Sequence, residues 1–96
     1  MATEIKQTDD ATSRTTTLRV DGEMFHDDAV LLEKIAECIS TETGNRVVID
    51  LADLDLLDSE AAPVLRRLER RKGFEIKGLE LFLQAAVNMA ERSASD

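Results

Sequence analysis

The sequence is poor in cysteine, proline, glycine and aromatic residues. It has one cysteine, one proline, four glycines and three phenylalanines, with neither tyrosine nor tryptophan. A single cysteine excludes a disulfide within the chain and fits a reducing compartment. Because the glycines are isolated from one another, the sequence has no glycine-rich loop of the kind that holds phosphate groups. So few aromatic residues predict a core built from leucine, valine, isoleucine and alanine.

Long apolar runs and an excess of basic residues are also lacking. No apolar run approaches the roughly 20 residues of a membrane-spanning helix, and residues 1–10 lack the basic and apolar regions of a signal peptide. The net charge is −8, which disfavours binding to nucleic acid or to an anionic membrane surface. The composition therefore predicts a cytoplasmic protein that binds no nucleic acid and does not insert into a membrane.

Apolar spacing along the chain predicts strands that alternate with helices. Residues 1–14 are polar and are expected to form an N-terminal tail or a short edge strand. The pattern then predicts, in order, a strand over 15–20, a helix over 29–40, a strand over 46–51, a helix over 60–72, a strand over 74–79 and a helix over 81–92. Such alternation is typical of a parallel sheet with right-handed crossovers. We expect one α/β domain over 15–92, with a mostly parallel or mixed four-stranded sheet and about three helices, and a polar tail over 93–96.

Two polar segments are expected to interrupt the regular elements. Asp21-Gly22 is a turn signal at the end of the first strand. Residues 52–57 are predicted to cross the sheet edge as a loop, with their three leucines turned inward. Asp58-Ser59 then leads into the second helix. If Ser59 were the N-cap of this helix, Pro63 would lie one residue too deep, so the helix start is either irregular or shifted.

The ionisable residues suggest neither a catalytic nor a metal site. The acidic residues between Asp50 and Glu60 lack the glycine and the spacing of a calcium loop, and we expect a solvated loop. His26 has no evident nucleophile or acid as a partner. Cys38 lies on the apolar flank of the first helix and is expected to be a small buried side chain. The residues therefore predict a protein that is not an enzyme and needs no cofactor.

Ser59 has two interpretations that follow from its position. It can cap the second helix, or it can be a site of phosphorylation. A phosphate would add about −1.5 to −2 charges at pH 7. Asp55, Asp58 and Glu60 would make the surroundings strongly negative. A partner that docks over this turn would then be repelled by charge and by the cost of desolvation.

Several short motifs resemble the STAS domain family, which includes bacterial anti-sigma-factor antagonists. Gly22-Glu23-Met24 is similar to the turn after an early strand of the family. Val47 to Leu51 is similar to a central strand that ends in Asp-Leu, and Asp58-Ser59 follows at the family's spacing for an Asp-Ser pair. The resemblance extends over nearly the whole chain. It implies a STAS-like fold and a role in transcription regulation through protein–protein interaction.

The resemblance also implies a site and a partner. In the family, an anti-sigma kinase phosphorylates the serine of the Asp-Ser pair, so Ser59 is the expected phosphorylation site. The expected partner-binding residues are Asp21, Gly22, Glu23, Met24, Asp55, Asp58, Ser59 and Glu60. The partner implied is an anti-sigma kinase-like regulator. Since Glu60-Ala61 replaces the usual small pair, the alternative is an unphosphorylated subunit that docks on the ATPase of a lipid-transport or stress-signalling complex. A homodimer through a sheet edge or the Phe82–Met89 face is left open.

Overall fold

A computed structural model describes residues 3–79 of the chain. Its elements are strand β1 (Glu4–Asp10), strand β2 (Thr15–Met24), helix α1 (His26–Thr43), strand β3 (Arg46–Asp50), strand β4 (Leu54–Leu57), helix α2 (Ala62–Glu69) and strand β5 (Phe74–Lys77). The helix expected over 81–92, its Phe82–Met89 face and the tail over 93–96 lie outside the described residues. Neither α1 nor α2 is long and apolar enough to cross a membrane.

The strands form one mixed sheet in the spatial order β1-β2-β3-β5. β1 is antiparallel to β2, whereas β2, β3 and β5 run parallel to one another. Parallel neighbours need a crossover connection, which α1 and α2 provide. β4 pairs in parallel with the far end of β2. The predicted α/β fold with a mixed sheet is confirmed, although the sheet has five strands where four were expected.

The fifth strand exists because β2 extends beyond its predicted end. The turn predicted at Asp21-Gly22 is wrong, since both residues lie within β2 and Gly22 has a φ of 90°, which costs glycine little. The extension to Met24 presents backbone groups with which residues 54–57 pair. The loop predicted over 52–57 is therefore wrong for residues 54–57. A short segment becomes a strand when a distant neighbour pairs with it, and local spacing does not contain that information.

The core is aliphatic, as the composition predicts. Leu18 of β2, Ile49 of β3, Leu32 of α1 and Leu65 of α2 are fully buried in one cluster. Within residues 3–79, Phe74 is the only aromatic side chain in that cluster. Both helices pack on the sheet through this one cluster. The ends of β2 and β4 lie side by side because the two strands pair directly.

Helix α1 begins three residues earlier and ends three residues later than predicted, and a local hydrogen bond marks each end. At the start, the Phe25 N–H donates to Asp28 Oδ2 at 3.0 Å, which satisfies a backbone donor before the first turn. At the end, Gly44 adopts a φ of 72° and its N–H donates to the Ser40 carbonyl at 2.9 Å. A glycine in this left-handed backbone conformation commonly ends a helix.

The prediction that Cys38 is buried is wrong, because its side chain is exposed. The buried positions of α1 are Ala29, Leu32 and Ala36, which form a narrow stripe. At about 100° per residue, Cys38 lies about 200° around the helix from Ala36. The carboxylate of Glu42, 3.6 Å from the sulfur, raises the pKa of the thiol. A thiol with a raised pKa is a poorer nucleophile, because less of it is present as the thiolate.

Ion pairs join the solvent sides of the two helices. Arg67 donates to both carboxylate oxygens of Glu33, at 2.9 and 3.3 Å, and these hydrogen bonds raise the pKa of the Arg67 guanidinium. One turn further along, Arg71 pairs with Glu37 and lies 5.1 Å from the ring centroid of Phe74. These ion pairs connect α2, and Arg71 just beyond its end, to α1.

Candidate functional site

The pairing of β2 with β4 brings two predicted segments together. Glu23 lies opposite Leu56 and Met24 lies opposite Leu57. Just beyond this pair, the Asp58 N–H donates to the Met24 carbonyl at 2.9 Å. As a result, the two predicted partner-binding segments, Asp21–Met24 and Asp55–Glu60, occupy one edge of the domain. We refer to these two segments, together with Phe25 that follows the first of them, as the Ser59 surface.

Asp58 builds the turn that carries Ser59. Its carbonyl accepts the N–H of Ala61 at 2.9 Å and that of Ala62 at 3.3 Å. Its carboxylate accepts the N–H of Glu60 at 3.2 Å. An aspartate at the first position of a turn commonly bonds the backbone two residues on in this way. Ser59 and Glu60 are therefore the two central residues of the turn, and both are exposed.

Ser59 does not cap α2. The helix begins at Ala62 with Ala61 as its N-cap, and Pro63 falls in the first turn, where a missing N–H does no harm. The cap interpretation of Ser59 and the predicted start at residue 60 are both wrong, and the shifted start that the position of Pro63 allowed is the correct alternative. The helix also ends earlier than predicted, at Glu69. Within residues 3–79, the Ser59 hydroxyl has no hydrogen-bond partner.

The backbone donors that follow Ser59 in the turn are already in use. The N–H groups of Glu60, Ala61, Ala62 and Val64 each donate to an oxygen of Asp58 or Ala61, and Pro63 has no N–H. A group attached to Ser59 would therefore find no free donor at these positions. It would project into solvent, where its charge acts on whatever approaches the surface.

The charge at the Ser59 surface is negative and largely uncompensated. Among residues 3–79, no lysine or arginine forms an ion pair with Glu23, Asp55, Asp58 or Glu60. Asp21 is different: Lys6 lies 3.8 Å from one of its oxygens, and the other is buried without a hydrogen-bond partner in the described range. Extra negative charge here would meet several carboxylates and few cations.

Two exposed apolar residues on this edge were missed by sequence reasoning. The side chain of Phe25 is 45% exposed and that of Leu56 is 44% exposed. Leu56 was expected to turn inward with its neighbours. Gly22 pairs with Leu54 whereas Glu23 pairs with Leu56, so Asp55 has no partner opposite and the strand alternation reverses there. No local sequence signal marks that irregularity.

The other candidate residues do not join this site. His26 is exposed and its Nδ1 lies 3.4 Å from Asp27 Oδ1, while Cys38 lies three turns along α1. The acidic residues of the 50–60 segment do not converge either. Among residues 3–79, no group of three or more histidine, cysteine, aspartate or glutamate side chains is arranged to hold a metal ion.

The family model of the STAS domain matches residues 2–92, and the chain belongs to that family. The sequence has no significant match among curated proteins. Several solved structures share its fold.

Two of the similar structures are anti-sigma-factor antagonists. The STAS-domain antagonist from Rhodobacter sphaeroides is 22% identical, with a TM-score of 0.54 over 77% of this chain and 82% of that one. The antagonist SpoIIAA in its unphosphorylated form is 16% identical, with a TM-score of 0.53 over 72% of this chain and 61% of that one. A Shewanella loihica protein with a SpoIIAA-like fold is 21% identical, with a TM-score of 0.54 over 77% of this chain and 64% of that one. These similarities establish the fold.

Proposed function

We propose that this STAS domain is a non-enzymatic regulatory module that binds a partner protein through the Ser59 surface and is controlled by phosphorylation of Ser59. The observation that carries the proposal is the position of Ser59. It stands exposed at the tip of the turn that Asp58 builds, where β2 and β4 end side by side. A kinase has access to this hydroxyl, and a docking partner would cover it.

The electrostatics favour a switch that acts on binding and leaves the fold unchanged. Because the backbone N–H groups that follow Ser59 are occupied, a phosphate on Ser59 is expected neither to break a hydrogen bond of α2 nor to gain one from its first turn. It adds about −1.5 to −2 charges to a surface that is already acidic. A partner that buries this surface must then desolvate the added charge and oppose it with its own cations. Phosphorylation should release such a partner.

The class of partner follows from the family. Membership of the STAS family, together with the fold shared with two anti-sigma-factor antagonists, supports an anti-sigma-factor kinase as the partner. Binding of the unphosphorylated domain to such a kinase would compete with its sigma factor.

One feature of the turn favours a second candidate. Glu60 is exposed beside Ser59 and already supplies a negative charge. A domain of this kind can serve as a permanently docked subunit on a transporter ATPase or in a stress-signalling complex, with Ser59 unmodified. In that case, an acidic residue at position 59 should hardly change the affinity.

The affinity of the domain for the purified anti-sigma-factor kinase of the same organism tests the proposal. Ser59→Asp is expected to weaken binding about tenfold or more at low ionic strength, and Ser59→Ala to retain it. Thr41→Asp, on the exposed side of α1, adds the same charge away from the surface and serves as the matched control. Equal affinity of Ser59→Asp and the wild type would contradict the switch.

A further inference from the structure

We infer that Phe25 and Leu56 form the apolar centre of the Ser59 surface and anchor a partner that presents an apolar pocket bordered by lysine or arginine. This inference rests on the proposed function, since it describes the chemistry by which the same surface holds its partner. It assigns the affinity to two apolar side chains and the regulation to the charges around them.

The backbone geometry places these two side chains together. Met24 and Leu57 are directly opposite in the β2–β4 pair, and both turn toward the core, where Met24 is fully buried and Leu57 packs against the cluster. Leu56 precedes this pair on one strand and Phe25 follows it on the other. Strand spacing puts their Cα atoms about 8 Å apart. Since alternate residues face opposite sides, both side chains point away from the core.

The outward position of Leu56 depends on the irregularity at Asp55. With regular pairing, Leu54 and Leu56 would share a face, and Leu54 is buried. The unpaired residue at Asp55 reverses this relation and exposes Leu56. Such irregularities often redirect a side chain next to a functional site. Exposing a leucine in this way gains nothing for the isolated domain, because the contact with water costs free energy.

Single exposed apolar residues are common on protein surfaces and need no explanation. Among residues 3–79, only Phe25, Leu31 and Leu56 are large apolar side chains with high exposure, and two of the three lie on the Ser59 surface. An apolar centre surrounded by a polar rim is the usual arrangement of a protein–protein interface. The third, Leu31, lies on α1 and is 53% exposed, which makes it a matched control.

Charge complementarity identifies the kind of partner. Glu23, Asp55, Asp58 and Glu60 border the apolar pair, and residues 3–79 supply no lysine or arginine to neutralise them. A partner face that covers Phe25 and Leu56 must therefore bring its own cations to these carboxylates. An acidic protein face, or a second copy of this domain in the same orientation, would meet like charge. The occupant is a basic face of a different protein with an apolar pocket at its centre.

Binding to the purified anti-sigma-factor kinase of the same organism, measured at low and high ionic strength, separates the two contributions. Phe25→Ser and Leu56→Ser are each expected to weaken binding about tenfold or more at both ionic strengths. Leu31→Ser should stay within about twofold of the wild type. Phe25→Leu, which keeps an apolar side chain, should retain most of the affinity. Circular dichroism and Tm confirm that each variant is folded, and Leu56→Thr replaces Leu56→Ser if that variant is not.

The outcomes distinguish this inference from the proposed function. If the kinase binds the wild type and Ser59→Asp weakens binding, but Phe25→Ser and Leu56→Ser behave like Leu31→Ser, the apolar anchor is overturned and the switch stands. If the apolar variants lose binding and Ser59→Asp does not, the anchor stands and the switch fails. If the wild type does not bind the kinase at all, both are overturned.

Discussion

Asp58 forms the hydrogen bonds that define the turn next to Ser59. Its N–H donates to Met24 of β2, its carbonyl accepts from Ala61 and Ala62, and its carboxylate accepts from Glu60. In the sequence, the Asp-Ser pair is of interest because its serine is the expected phosphorylation site. In the structure, the aspartate of the pair stabilises the local fold, because it connects the end of β4 to β2 and fixes the turn that leads into α2.

The contribution of the Asp58 carboxylate is measurable. Asp58→Ala removes the acceptor of the Glu60 N–H and should lower the free energy of unfolding by about 1 kcal/mol. Asp58→Asn keeps an oxygen acceptor without the charge and should retain most of that stability. Denaturant unfolding of both variants compares them with the wild type. An Asn variant as unstable as the Ala variant would show that charge, and not the hydrogen bond, holds the turn.

At the scale of single residues, the sequence locates the polar residues of the Ser59 surface more accurately than it predicts whether an apolar side chain faces the core or the solvent. The acids and the serine of the Ser59 surface follow from turn signals and from the family motif. The predicted inward direction of Leu56 is wrong because its direction depends on one unpaired residue in the β2–β4 register. The predicted burial of Cys38 is wrong because the buried stripe of α1 is narrower than its apolar composition suggests.

At the scale of elements, the predictions succeed where the signal is local. The order of strands and helices and the glycine that ends α1 follow from spacing and from turn residues. The length of β2 and the existence of β4 do not, because each depends on the other for its hydrogen bonds. The same holds for the start of α2, where the contacts of Asp58 shift the first helical residue to Ala62.

The end of α1 offers a test of a local signal. Gly44 has a φ of 72°, and a Cβ built there would meet no atom within 4 Å. The cost of Gly44→Ala is therefore a backbone cost alone, and we expect a loss of about 1 kcal/mol in the free energy of unfolding. Gly44→Asn should lose less, because asparagine tolerates this conformation. Unfolding curves measure both. An Ala variant as stable as the wild type would mean that α1 ends in another conformation.

At the scale of the whole molecule, residues 3–79 contain carboxylates that are paired with arginines and carboxylates that have few cations near them. On the helical side, Glu33 and Glu37 are paired with Arg67 and Arg71, so that their charges are compensated within the fold. On the Ser59 surface the carboxylates have few internal cations. A phosphate on Ser59 would therefore add to a group of carboxylates that the fold does not neutralise, at the place where a partner is expected to dock.

The mass of the intact chain isolated from its native host is the most direct test of phosphorylation at Ser59. We expect a fraction that carries one phosphate, that loses it on treatment with phosphatase, and that maps to Ser59 by peptide fragmentation. A Ser59→Ala chain expressed in the same host should show no such fraction, whereas Thr41→Ala should show it unchanged. A chain that is unmodified at Ser59 in every growth condition, or phosphorylated only elsewhere, would contradict the account.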